Sequence, residues 1–194
     1  MSAGQLAGLR VVPPRRFSDS RGFFTELYNE FHPDTPDELR QSVGQVNISY
    51  SKKGVIRGMH FQTDPPQGKL LKVIHGKVQF VELDIRPWSS TFGQACKIII
   101  SSQENDTLWV PFGFANGFQA LEDSTLAYVC TGAYNPETEK GISPFSPQIL
   151  PLWEEILDEN GQNLRILSQK DQNSPNFDQI LPFLHQNITN LEQK

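Results

Sequence analysis

The sequence predicts an all-β chain, and three observations carry that expectation. Short apolar runs recur through the middle of the chain, set apart by turn signals roughly every 8–12 residues, the spacing of a β-sandwich or barrel. Turn formers are plentiful, with 14 Gly and 14 Pro among 194 residues. The chain also carries 13 Phe, a residue that suits a pleated, half-buried surface.

The elements follow in order. Residues 43–50 (VGQVNISY) alternate weakly, and residues 55–61 (VIRGMHF) form a second strand interrupted by Gly58. After the loop TDPPQG, the run KLLKVIHGKVQFVELDI reads as two strands meeting at His75-Gly76, a hairpin signal. CKIIIS, TLWVP, GFQAL and STLAYVCTGAY supply four more. Beyond about residue 145 the pattern changes. PLWEEILDENGQNLRIL is ambiguous, whereas FDQILPFLHQNITNL places Ile180, Leu181, Leu184, Ile188 and Leu191 at helical spacing. Pro182 fits best in the first turn of such a helix. The expectation is one domain over residues 1–194, with a core over about 9–145 and a short helical C-terminal cover over about 146–194.

Charge and motifs narrow the function classes. The net charge of −5 leaves no basic footprint for nucleic acid, although a few local Arg and Lys can still hold a diphosphate. Cys96 and Cys130 lie in apolar stretches and read as buried free thiols. No apolar run is long enough for a signal h-region or a membrane span, so a cytoplasmic protein without a membrane partner is expected. The histidines are His32, His60, His75 and His185. They form no His-x-His pair or His/Glu cluster, and there is no G-x-G-x-x-G loop, so neither a metal nor another cofactor is expected.

The candidate side chains each fit two roles. His60 suits a structural strand position, or a general base titrating near neutrality if it lines a pocket. Arg57 offers a forked cation for phosphate. Strict alternation puts Arg57 and His60 on opposite faces unless Gly58 marks a bulge. Lys69 and Lys72 either solvate a strand edge, or one of them polarises a carbonyl oxygen or pairs with phosphate. Tyr128 and Tyr134 are packing residues or, in enolate chemistry, proton donors. Asn116, within PFGFANGF, has the strongest hydrogen-bonding side chain of its segment. It sits there for turn geometry or as a pocket contact.

Taken together, these segments resemble the dTDP-4-dehydrorhamnose 3,5-epimerase family. The matching stretches run in family order: DSRGFFTELYNE (19–30), GQVNIS (44–49), KGVIRGMHFQ (53–62), QGKLLKVIHGKVQFVELDIR (67–86), TFGQ (91–94), LWVPFGFANGF (108–118), AYVCTGAYNPETEKGI (127–142) and LSQKD (167–171). The resemblance implies a cupin-like jelly roll that forms a homodimer and uses no cofactor. It implies a nucleoside-diphosphate 4-keto sugar as substrate. A base removes the acidic proton beside the ketone, and reprotonation from the opposite face inverts the centre.

By the same resemblance, His60 is the base, Asp171 orients it, Lys69 steadies the enolate oxygen and Tyr128 is the opposed acid. Arg57 matches a diphosphate contact, and Gln45, Asn47 and Tyr134 match pocket positions. Arg21, Phe24 and Glu26 match residues of the nucleotide pocket, some reaching in from the dimer partner. The chain departs from the family at Asn116 and Ile48, where histidine is usual, and both positions are expected to touch the pocket. These departures leave open inversion at C3, C5 or both, and a thymidine, guanosine or cytidine nucleotide. The remaining readings are a mono-epimerase or ketoisomerase on a similar scaffold, a non-catalytic nucleotide-sugar-binding cupin, and a metal-dependent cupin oxygenase.

Overall fold

The computed structural model describes residues 6–13 and 15–188. It contains β1 (Arg10–Val12), β2 (Arg16–Asp19), β3 (Gly22–Thr25), α1 (Asp37–Gln41), β4 (Val43–Ser51), β5 (Ile56–Gln62), β6 (Lys69–His75), β7 (Lys77–Asp84), β8 (Ala95–Ser101), β9 (Thr107–Val110), β10 (Phe114–Ala120), β11 (Ser124–Thr131), β12 (Glu139–Gly141), α2 (Gln169–Gln172) and α3 (Phe177–Asn187). Two five-stranded antiparallel sheets dominate, one ordered β1-β9-β6-β11-β4 and the other β12-β5-β10-β7-β8. The all-β jelly-roll expectation holds.

Three apolar clusters explain the layering. Between the sheets, Leu71, Val73 and Leu126 from the first meet Phe80, Phe114 and Phe118 from the second. Each such buried side chain is worth about 1.5–3 kcal/mol of transfer free energy. The outer face of the second sheet presents Ile56, Met59, Phe61, Val81 and Leu83, which Trp153, Phe177, Ile180 and Leu184 of the C-terminal segment cover. The outer face of the first sheet packs Leu70, Trp109 and Val129 against Leu39 and the chain around Leu27 and Tyr28. No helix among the described residues is long and apolar enough to cross a membrane.

Several local expectations are corrected. His75-Gly76 is not a hairpin, because β6 and β7 lie in different sheets. Gly76, at φ 80°, turns the chain from one sheet to the other, and a Cβ there would meet Asp123 O at 2.4 Å. Lys72 solvates no edge. Its strand is central, the residue is 2% exposed, and its ammonium donates to Asn105 O. Pro182 falls in the second turn of α3, not the first. It is tolerated because it and Asp178, whose carbonyl loses a partner, both face solvent. Leu191 lies outside the described residues. Cys96 and Cys130 are buried free thiols as expected, and burial pushes Cys96 up to about 12.

Candidate active site

The site begins with an irregularity in β5. Across the β5–β10 ladder, His60 pairs with Asn116 and Arg57 with Phe118, so three steps on one strand face two on the other. The extra residue is a bulge at Gly58-Met59. Gly58 takes φ 117°, and a Cβ there would sit 2.7 Å from Asn116 O, so only glycine fits. The bulge resets the alternation. Met59 and Phe61 stay with the outer cluster, while Arg57 and His60 both turn inward to one cavity. The opposite-face conflict is resolved in this way.

That cavity is about 490 Å³ and opens between the two sheets. The second sheet contributes Arg57, His60 and Asn116, the first contributes Lys69 and Tyr128, and α2 contributes Asp171. A second cavity of about 240 Å³ shares His60, Lys69 and Tyr128 and is lined by Gln45, Asn47 and Tyr134. His60 and Tyr128 therefore project from facing walls.

His60 and Asp171, 111 residues apart, meet with Nε2 2.7 Å from Oδ1. α2 delivers Asp171 through a cap in which the Asp171 N–H donates to Ser168 Oγ at 3.1 Å. Burial alone pushes the Asp171 carboxyl up. The hydrogen bond and charge of His60, with the Gly58 N–H and Ser168, outweigh it and hold the group below the ordinary carboxylate range. An ionised carboxylate only accepts, so Nε2 of a neutral His60 carries the proton and Nδ1 keeps the lone pair.

On the opposite wall, the Tyr128 hydroxyl hydrogen-bonds to no described residue. Burial, with Cys130 nearby, raises its phenol above the usual value against an opposing pull from Arg57, so it stays protonated at neutral pH. Arg57 donates to Ser51 Oγ at 3.0 Å and to the Tyr50 carbonyl at 3.1 Å, which fixes its fork at the cavity rim. Gln45 donates to Asn47 at 2.6 Å and accepts from the Tyr134 N–H at 2.9 Å, so these three form one polar strip.

Asn116 is not in a turn. It lies mid-strand in β10, 9% exposed, with its amide donating to Glu82 Oε1 at 2.6 Å. Register extends this row across the sheet, from His60 through Asn116 and Glu82 to Cys96. Behind the pocket wall, burial drives the Glu82 carboxyl well above the ordinary carboxylate range, against the opposing hydrogen bond from Asn116 and the charge of Lys69.

Three expected residues stand elsewhere in this chain. Arg21 and Phe24 belong to the separate β2–β3 hairpin, where Arg21 pairs with Asp19 at 2.6 Å and Phe24 is 63% exposed. Glu26 lies in a small recess beside Arg15, 3.5 Å away. None of the three lines the His60 cavity of the same chain. Ile48 requires a correction. Alternation along β4 turns Gln45, Asn47 and Ser49 inward, and Ile48 outward at 74% exposure, so this departure from the family misses the pocket.

Glu82 and Glu139 escaped the sequence reading. Glu139 Oε1 is 3.9 Å from His60 Nδ1. It lies in the EKG segment that pairs with the end of β5, Gly141 opposite His60 and Glu139 opposite Gln62, a pairing that local sequence does not reveal. Among the described residues, no three His, Cys, Asp or Glu side chains gather as metal ligands.

The architecture defines a class first: a cupin-like jelly roll whose inter-sheet cavity carries an oriented imidazole facing a protonated phenol. Comparison with known proteins then specifies it. The family model described as dTDP-4-dehydrorhamnose 3,5-epimerase matches residues 3–179. A dTDP-4-dehydrorhamnose 3,5-epimerase of Methanothermobacter thermautotrophicus is 38% identical over 171 residues, 87% of this chain and 89% of that protein. The crystal structure of a Legionella pneumophila dTDP-6-deoxy-D-glucose-3,5-epimerase, in complex with dTDP-4-keto-L-rhamnose, is 37% identical with a TM-score of 0.78, covering 93% of each chain. A 3'-monoepimerase from Streptomyces bikiniensis, in complex with dTDP-quinovose, is 26% identical with a TM-score of 0.82, covering 100% of this chain and 98% of that one. The chain belongs to the dTDP-4-dehydrorhamnose 3,5-epimerase family, whose members are isomerases.

Proposed function

We propose that the protein inverts C3 and C5 of a dTDP-linked 4-keto-6-deoxy sugar, with His60 as base and Tyr128 as opposed acid. The observation that carries this reading is their placement on facing walls of one cavity. A sugar ring between them exposes one face to the imidazole and the other to the phenol. The C4 ketone acidifies the neighbouring C–H bonds. His60 Nδ1 takes the proton, and the C–H electron pair moves into the ring as an enolate. Lys69, on the Tyr128 wall, neutralises the charge developing on O4. Tyr128 then gives its proton to the carbon from the other face, and solvent restores both groups. Asp171 holds the imidazole in the required tautomer and balances its positive charge.

Arg57 sits at the rim as a diphosphate contact, with Asn116, Gln45, Asn47 and Tyr134 around the sugar. Incubation of the dTDP-4-keto-6-deoxy sugar in D₂O tests the reaction, read by NMR. Deuterium at both C3 and C5 is expected. Asn116, standing where the family usually has histidine, favours a second reading, in which exchange stops at one carbon. Exchange at neither carbon with folded protein sinks both.

The same reading makes the protein a homodimer in which Arg21, Phe24 and Glu26 contact nucleotide bound to the partner. β4 supports it, because its inward residues are polar and its outward residues apolar. Val46 is 60% exposed, Ile48 74% and Tyr50 54%. A stripe of this kind on a sheet edge calls for a partner. Sedimentation equilibrium should give twice the chain mass for the wild type and a monomer for Ile48→Asp. A wild-type monomer refutes the dimer.

A further inference from the structure

His60 stands between two carboxylates. Asp171 holds Nε2 at 2.7 Å, and Glu139 Oε1 waits 3.9 Å from Nδ1. A shift of about 1 Å brings that oxygen into hydrogen-bond range. The shift is opposed. Glu139 Oε2 is gripped by the Lys170 ammonium and reached by the Tyr134 hydroxyl at 3.5 Å. Lys170 directly precedes Asp171 on α2, so one short helix supplies both the partner of Nε2 and the restraint on Glu139. The Glu139 side chain is only 13% exposed, so water screens it weakly.

We propose that the Lys170–Glu139 ion pair is a positioning device that keeps the Glu139 carboxylate off His60 Nδ1, leaving that nitrogen free to accept a proton from substrate. This rests on His60 being the base. A carboxylate bonded to each nitrogen locks an imidazole as imidazolium, which has no lone pair to offer. Without Lys170, Glu139 closes on Nδ1. The protonated form of His60 is favoured, and less neutral base remains at any given pH. The other groups facing His60 are Arg57 on its own strand, Lys69 on β6 and Tyr128 on β11, with Glu82 behind Asn116. None of them is altered by changes at Lys170 or Glu139.

The test is an NMR titration of the His60 ring in the full chain, assigned with His60→Gln. Wild type, Lys170→Met and Lys170→Met/Glu139→Gln are compared, and each kcat/KM pH profile is measured beside it. Lys170→Met should raise the His60 midpoint by about one pH unit, a shift common beside a carboxylate. The double variant should return it close to the wild-type value. The acidic limb of kcat/KM should move up with the midpoint, because the neutral base then appears only at higher pH. An unmoved midpoint in Lys170→Met overturns the proposal. So does a midpoint still raised in the double variant, since the lost Lys170 charge would then be the cause. The NMR midpoint needs no turnover. A raised midpoint with an unmoved acidic limb refutes instead the underlying assignment of His60 as base.

Discussion

Replacing His60 is expected to lower kcat by roughly 10²–10⁴-fold, the usual contribution of a positioned acid–base group, or about 3–5 kcal/mol of barrier. Alanine is a blunt choice. The Asp171 side chain is 4% exposed, and removing its partner strands a buried charge at a cost of about 3–5 kcal/mol. Glutamine is sharper. Its amide can still donate to Asp171 Oδ1, yet it has no basic nitrogen. His60→Gln should therefore keep its thermal midpoint and its affinity for dTDP, while solvent deuterium exchange at C3 and C5 falls together with turnover. Loss of both carbons at once is the telling result, because one imidazole serves both in this reading. If His60→Gln turns over as the wild type does, the base lies elsewhere.

How much of this was readable from the residues alone varied with range. Gly58 within an apolar strand signalled a break in alternation, and the bulge it makes puts Arg57 and His60 in one cavity. That inference needed only neighbours in sequence. Asp171 lies 111 residues from His60, and nothing in its QKD segment points to an imidazole; only family resemblance brought the two together. Topology defeated local rules at His75-Gly76. A turn signal is the same whether the next strand folds back beside the last or crosses to a second sheet. Lys72 misled for a related reason, since burial there depends on strand order and on the distant turn whose Asn105 carbonyl takes its ammonium.

Glu82 was hidden by burial on both faces. Every residue from Val78 to Asp84 is buried, so polarity along β7 carries no alternation to read. Its role emerges only from register, which sets it opposite Asn116. Ile48 shows the converse. The weak alternation along β4 already sets Ile48 on the face opposite Gln45 and Asn47, against the pocket position that the family motif implies.

Tyr128→Phe should separate the two halves of the reaction. The variant loses one oxygen from a phenol that hydrogen-bonds to no described residue, so no protein group is left unpaired. Stability should hold within about 0.5 kcal/mol, as for substitutions that break no network. His60 and Asp171 are untouched, so proton abstraction persists. The enolate then has only one donor, the imidazolium that formed it, and the proton returns to the face it left. Deuterium should enter the starting sugar with retention of configuration, while inverted product falls by roughly 10²–10⁴-fold, as for loss of a positioned acid. Proton NMR in D₂O reads both, because exchange erases a ring-proton signal and inversion changes its couplings. Inverted product at the wild-type rate removes Tyr128 from the mechanism. Loss of exchange along with inversion gives it a part in proton abstraction, a step this geometry assigns to His60 on the other wall of the cavity.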